Sequence, residues 1–221
     1  VAKALGTCFG VQDAIELALD ETFQGNLTIV GELVHNSQVV SRLKENGVRL
    51  VKSLDDPIKT KNVMITAHGA PASLRARAES MGFTVFDATC PLVTKVHREA
   101  VRFARDDYEI LLIGHDGHEE VEGTAGEAPD HVTVVNSPEA ATTVEVKDPT
   151  KVVWLSQTTL SVDETMETVR RLRERFPQLQ DPPSDDICYA TQNRQVAIKK
   201  VAVGADLVIV VGSANSSNSV R

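Results

Sequence analysis

The stretch Phe86-Asp87-Ala88-Thr89-Cys90-Pro91-Leu92-Val93-Thr94-Lys95 joins two patterns. Ahead of it, Phe83-Thr84-Val85-Phe86 is β-branched and aromatic, the composition of a strand. Behind it, the run from Val93 to Ala104 places apolar residues at helical spacing. Proline is favoured at the first helical position, where its missing N–H costs nothing. Cys90 therefore stands at a strand-to-helix junction, before the positive end of a helix. That placement predicts a lowered thiol pKa.

Working outward, the same arrangement recurs twice. Cys8 precedes a helical run at Val11 to Leu19, then an apolar strand at Leu27 to Val30 ending in Gly31. Cys188 precedes a helix that includes Gln195 to Ala202, then Leu207 to Val211 ending in Gly212. After Cys90 the corresponding strand is Ile110 to Ile113, ending in Gly114. The cysteine-to-glycine intervals are 23, 24 and 24 residues, so the pattern reads as an internal repeat. Two further strands, Val63 to Thr66 and Val152 to Ser156, each lead into a helix, Pro71 to Met81 and Asp163 to Phe176. Continuous apolar strands alternating with helices predict parallel sheets covered on both faces. The expected architecture is three similar α/β lobes in a pseudo-threefold trefoil, over 9–89, 90–187 and 188–221 with 1–8. The third lobe is expected to be incomplete, because a full repeat from Cys188 extends past Arg221. The sequence reads as a fragment, shortened at both ends.

Composition narrows the function. The 221 residues carry a formal net charge of -8, against general nucleic-acid binding. The longest apolar run, Leu207 to Val211, is too short to span a bilayer. Three widely spaced cysteines make a poor disulfide framework, and no secretory signal is visible. A reducing compartment is expected: the cytoplasm, or a plastid stroma for a photosynthetic source.

If three repeats surround one axis, three cysteines converge on it. Three thiolates suit a zinc site completed by histidine, or an iron–sulfur cluster with one iron left open. Spacing alone does not separate the two. The polar strand ends favour the cluster, since a structural zinc needs no such wall. That wall comprises His35, His68, Glu32 to Ser37, His115 to Glu120, Thr158-Thr159 and Ser213 to Ser219. His35, His68 and Ser216-Ser217-Asn218 offer donors to phosphate oxygens. His118 and Glu120, two apart, share a face if strand-like, and pair an imidazole with a carboxyl for proton delivery. Plainer roles compete: turn histidines at 35 and 68, a plain turn at 215–218, and a helix cap at Thr159 or Ser161. His97 and His131 read as structural.

At these residues the sequence resembles the 4-hydroxy-3-methylbut-2-enyl diphosphate reductase family. The matching motifs are Cys8-Phe9-Gly10-Val11, Val34-His35-Asn36, Ala67-His68-Gly69 and Asp87 to His97. They continue with Gly117-His118, Glu120-Val121-Glu122-Gly123-Thr124, Gln157-Thr158-Thr159-Leu160-Ser161, Asp185 to Thr191 and Asn215-Ser216-Ser217-Asn218-Ser219. The resemblance implies a [4Fe-4S] cluster on Cys8, Cys90 and Cys188. It implies Glu120 as proton source, with His118 and Thr158 around the substrate hydroxyl. It implies a diphosphate held by His35, His68, His118, Ser216, Ser217 and Asn218. The implied reaction is reductive dehydroxylation of an allylic diphosphate to isopentenyl and dimethylallyl diphosphates, with ferredoxin or flavodoxin as electron donor. Neither nucleic acid nor membrane is an expected partner. Two departures stand out. Thr7 occupies a position where the family commonly has an aromatic residue, and another diphosphate-binding serine of the family has no counterpart here. The alternatives are a three-cysteine enzyme of quinolinate synthase type and a non-catalytic cysteine-coordinated metal module.

Overall fold

A computed structural model describes residues 6–220. Two parallel sheets account for its core. The first joins β1 (Leu27–Val30), β2 (Arg49–Val51), β3 (Asn62–Ile65) and β4 (Thr84–Asp87) in the order β2-β1-β3-β4. The second joins β5 (Glu109–Ile113), β6 (Val132–Val135) and β7 (Val152–Ser156) in the order β6-β5-β7. The sheets fall inside residues 9–89 and 90–187 respectively.

Alternate residues of each strand feed opposite faces, as the strand period demands. In the first sheet, Leu27, Ile29 and Met64 pack with Ala14, Ile15 and Ala18 of α1 (Phe9–Ala18) and Leu43 of α2 (Ser37–Glu45). Val30 and Val63 pack on the other face with Ala78 of α3 (Ala72–Ser80). In the second sheet, Ile110, Leu112, Val153 and Leu155 meet Val96, Ala100 and Phe103 of α4 (Pro91–Arg105) and Val121 of α5 (Glu119–Glu127). Leu111, Ile113 and Trp154 meet Val169 and Leu172 of α6 (Val162–Arg175) on the reverse face. Both sheets are thus covered twice, which is why their strands read as unbroken apolar runs.

The register matters for the site. Val30 pairs with Ile65, Ile65 with Asp87, and Ile113 with Ser156. The carboxyl ends of neighbouring strands are therefore level, and the polar residues that follow them share a rim.

One expected strand is absent. After α7 (Tyr189–Ala202), residues 207–211 form no strand, and Leu207, Ile209 and Val211 are exposed. A strand needs a neighbour's N–H and C=O groups. Among the described residues none runs beside this segment. Of α7 only Thr191 is buried, so the third unit here is a helix and a loop closed by α8 (Ser217–Val220).

Candidate active site

Three imidazoles meet at the rim. His35 follows β1, where Asn36 caps α2 by accepting from Gln38 N and Val39 N. His68 follows β3, in a turn that Gly69 completes at φ +81°. A side chain at Gly69 would come within 3.0 Å of the His97 ring, so the turn has room only for glycine. His118 caps α5 after β5. The His35 and His68 rings stack at 4.2 Å, and His118 stands edge-on to both at 5.4 and 5.6 Å.

Burial holds two of these rings, His68 and His118, neutral. The His68 pKa is pushed down to about 3 by loss of solvent, with His35 and His118 lowering it further. The His118 pKa falls to about 4 for the same leading reason, with His35 and His115 adding to it. Nδ1 of His118 accepts from Glu120 N at 3.1 Å, so the proton of its neutral ring sits on Nε2. Nε2 of His68 is buried without a hydrogen-bond partner among the described residues. An orphaned imidazole nitrogen beside two others is a costly arrangement that a bound ligand relieves.

Glu120 is buried at the second position of α5. Its Oε1 accepts from Thr158 N at 2.6 Å, and the Thr158 carbonyl accepts from Cys188 N at 3.0 Å. Burial raises the Glu120 pKa to about 7; the Thr158 hydrogen bonds oppose the rise and Asp186 adds to it. The carboxyl therefore holds a proton near neutral pH and can release it. The expectation that His118 and Glu120 share a strand face is corrected here. His118 is a helix cap and Glu120 lies in the first turn, so what joins them is the hydrogen bond at the helix start.

All three cysteines cap helices: Cys8 caps α1, Cys90 caps α4 with Pro91 at its first position, and Cys188 caps α7. A Cβ on Gly10 would stand 2.5 Å from the Cys90 sulfur, so the second cysteine approaches the helix that the first begins. The Cys90 thiol is the reverse of expectation. Burial pushes its pKa up, the backbone N–H groups of Leu92 and Val93 pull it down, and Cys8 and Cys188 push it up again. The helix start does act on Cys90, but loss of solvent outweighs it.

The three sulfurs do not all lie within 4.8 Å of one another, whereas the donor atoms of His35, His68 and His118 do. Thiolates on one zinc at about 2.3 Å would stand only about 3.8 Å apart. The thiol trio is therefore not gathered as one zinc ion would require.

Other predicted residues divide. Asn218 accepts from Thr191 Oγ1 at 3.0 Å, and Thr191 N reaches the Cys188 sulfur at 3.3 Å. Ser217 donates to the Thr159 carbonyl at 2.5 Å, so its proton is turned away from the rim. Ser216 Oγ has no hydrogen bond among the described residues. Ser161 caps α6, as one sequence reading had it. His97 is buried in α4 with Nδ1 3.2 Å from Glu127, the structural role expected, and His131 lies 3.6 Å from Asp107.

The structure also gives Asn215, Lys95 and Asp186 specific partners. Asn215 Nδ2 reaches Glu32 Oε2 at 3.1 Å and His35 Nδ1 at 3.3 Å, tying the loop before α8 to the residues after β1. Lys95 Nζ donates to Asp186 at 2.9 Å and to the carbonyls of Ser184 and Asp185. Asp186 in turn accepts from Ser156 N at 2.8 Å. Lys95 thus anchors the loop that delivers Cys188. Its only sequence signal was its position five residues after Cys90.

Fold and site together define a parallel-sheet α/β protein with three helix-capping thiols, a close-packed histidine trio and a proton-bearing carboxyl on one rim. The chain belongs to the LytB protein family, whose model matches residues 1–221. It is 65% identical to 4-hydroxy-3-methylbut-2-enyl diphosphate reductase of Leifsonia xyli subsp. xyli, covering 100% of this chain and 66% of that protein. It is 59% identical to the protein of the same name from Mycolicibacterium gilvum, covering 100% and 67%. The chain spans about two thirds of the length of these curated relatives. Among solved structures, E-1-hydroxy-2-methyl-but-2-enyl-4-diphosphate reductase from Plasmodium falciparum superposes with a TM-score of 0.93 at 36% identity, over 98% of this chain and 69% of that one. A second, (E)-4-hydroxy-3-methyl-but-2-enyl diphosphate reductase, gives 0.75 at 31% identity, over 99% and 78%.

Proposed function

We propose that this protein, at full length, reduces (E)-4-hydroxy-3-methylbut-2-enyl diphosphate to isopentenyl and dimethylallyl diphosphates, the terminal step in forming isoprenoid precursors. One observation carries the reading: buried Glu120, with a pKa near 7, is joined through Thr158 to the peptide of Cys188 and through its own N–H to His118. A proton source, a thiol and an anion-binding imidazole are thereby wired together. The names of the relatives support the same chemistry.

In this reading Cys8, Cys90 and Cys188 hold a [4Fe-4S] cluster. When bound, such a cluster supplies electrons and an iron with an open position that acts as a Lewis acid toward a hydroxyl. His35, His68 and His118 hold the diphosphate; His118 donates from Nε2, and the buried Nε2 of His68 gains the partner it lacks. Ser216 and Asn218 complete the diphosphate site, and Ser217 joins it by turning from Thr159. Glu120 gives up its proton as the hydroxyl departs as water, while Thr158 orients the carboxyl and the hydroxyl. Overall, two electrons and two protons convert the C–O bond to C–H and release water. The electrons come from ferredoxin or flavodoxin, and the cytoplasm is the natural compartment, given the bacterial relatives. The trefoil of three lobes about the cluster is part of the same proposal.

The deciding experiment uses the full-length protein reconstituted anaerobically. Iron and sulfide should be retained, and the hydroxymethylbutenyl diphosphate should be consumed with reduced methyl viologen as electron source. Zinc without iron or sulfide would favour the metal-module reading and sink the reductase. A packing test accompanies it. Gly10→Ala places a methyl group against the Cys90 sulfur, and is expected to lower the iron retained per chain while leaving the far-ultraviolet circular dichroism unchanged. Parental iron content in that variant would count against Cys90 as a ligand.

A further inference from the structure

A second feature lies away from the histidine rim. α3, β4 and α4 enclose an open cleft of about 490 Å³ whose lining includes Arg75, Arg98, Arg102 and Arg105. Two acids, Asp87 and Glu127, also line it, so the cleft carries an excess of positive charge on a chain of net charge -8. Arg75 is paired with Asp87. Arg98, Arg102 and Arg105 are exposed and form no salt bridge among the described residues, although Arg102 lies 4.5 Å over the Phe103 ring and attracts the Glu99 carboxylate from a distance.

The three exposed arginines recur at helical spacing and form one stripe along α4. The helix dipole accounts for basic residues in the last turn, which covers Arg102 and Arg105. It does not account for Arg98, nearly two turns earlier. The stripe also leads somewhere. Thr89 and Thr94 line the same cleft, flanking Cys90, and Thr94 Oγ1 donates to the Cys90 carbonyl at 3.3 Å. Eight residues of helix, about 12 Å, separate Arg98 from Cys90. Exposed Val101 lies between the arginines and gives the cleft a small apolar centre.

We propose that the arginine stripe of α4 is the docking surface for a small acidic one-electron carrier protein, which passes its electrons toward Cys90. This rests on the reductase reading above. Two dockings serve each turnover. Each oxidises one carrier by one electron, and the two electrons with two protons reduce the C–O bond and form water. Redox encounters of this kind are small and electrostatically steered, so a few unpaired charges around an apolar spot suffice.

The test uses full-length holoenzyme with a plant-type [2Fe–2S] ferredoxin as probe. Arg98→Glu and Arg105→Glu should each raise the KM for ferredoxin and weaken its direct binding at low salt by roughly tenfold or more. Both variants should keep the rate with reduced methyl viologen within about twofold and show a flatter dependence of binding on ionic strength. Arg98→Lys should restore most of the affinity, and Arg49→Glu, on the far edge of the first sheet, should leave it unchanged. Ferredoxin affinity unaltered by both stripe reversals, or lowered equally by Arg49→Glu, overturns the proposal. If the parent fails to turn over with methyl viologen, the reductase reading fails; the binding measurements then still decide whether this face takes the carrier.

Discussion

Glu120→Gln is expected to lower turnover by about 10²- to 10⁴-fold, the range for losing a positioned general acid. The amide keeps an oxygen that can accept from Thr158 N, so the hydrogen bond across to β7's end survives and the fold is preserved. What disappears is the exchangeable proton. Iron, sulfide and diphosphate affinity should stay near parental values, which separates loss of proton delivery from loss of the site. The pH profile sharpens the test. Glu120 titrates near 7 because burial disfavours its anion. The parent's turnover should therefore fall as pH rises through about 7, approaching one decade per unit, as the acid form is depleted. In Glu120→Gln the residual rate should lose that descending limb. A variant with parental turnover, or with the limb intact, would remove Glu120 from the proton path.

Cys90→Ser should have the second large effect: loss of most bound iron and sulfide, with turnover falling to background. Serine is itself a good helix cap, so α4 and its packing on the second sheet should survive. Its hydroxyl is a poor replacement for a soft thiolate toward iron. Burial raises the Cys90 pKa, so iron must displace a proton to bind there and loading should improve as pH rises. An undiminished iron–sulfur absorption band in this variant would rule out ligation by Cys90.

The parts legible in the sequence were those with a local physical cause. Strands β1, β3, β5 and β7 are buried on both faces, so each announces itself as a continuous apolar run. The Cys90-Pro91 junction and the Ser161 cap follow from the chemistry of helix starts. Where tertiary surroundings decide, local pattern misleads. Residues 207–211 carry the same apolar signal as β5, but pairing depends on a neighbour that a run cannot specify. The Cys90 pKa depended on burial, which local sequence does not reveal. The site itself was only partly readable. His35 and His68 look like turn residues until the level strand ends bring their rings into contact. The repeat sets them at polar strand ends as phosphate donors, and the resemblance implies the diphosphate; neither reveals that their rings stack. Lys95 and Asp186 are joined across 91 residues, a tie that no local pattern encodes.

The exposed segment after α7 has a consequence for handling the protein. Leu207-Val208-Ile209-Val210-Val211 has four β-branched residues in five, no charge and no proline. That is the composition of segments that stack into cross-β zippers. Asp206 is its one adjacent charged gatekeeper. A preparation of these 221 residues should therefore be colloidally fragile, with self-association growing as concentration and ionic strength rise.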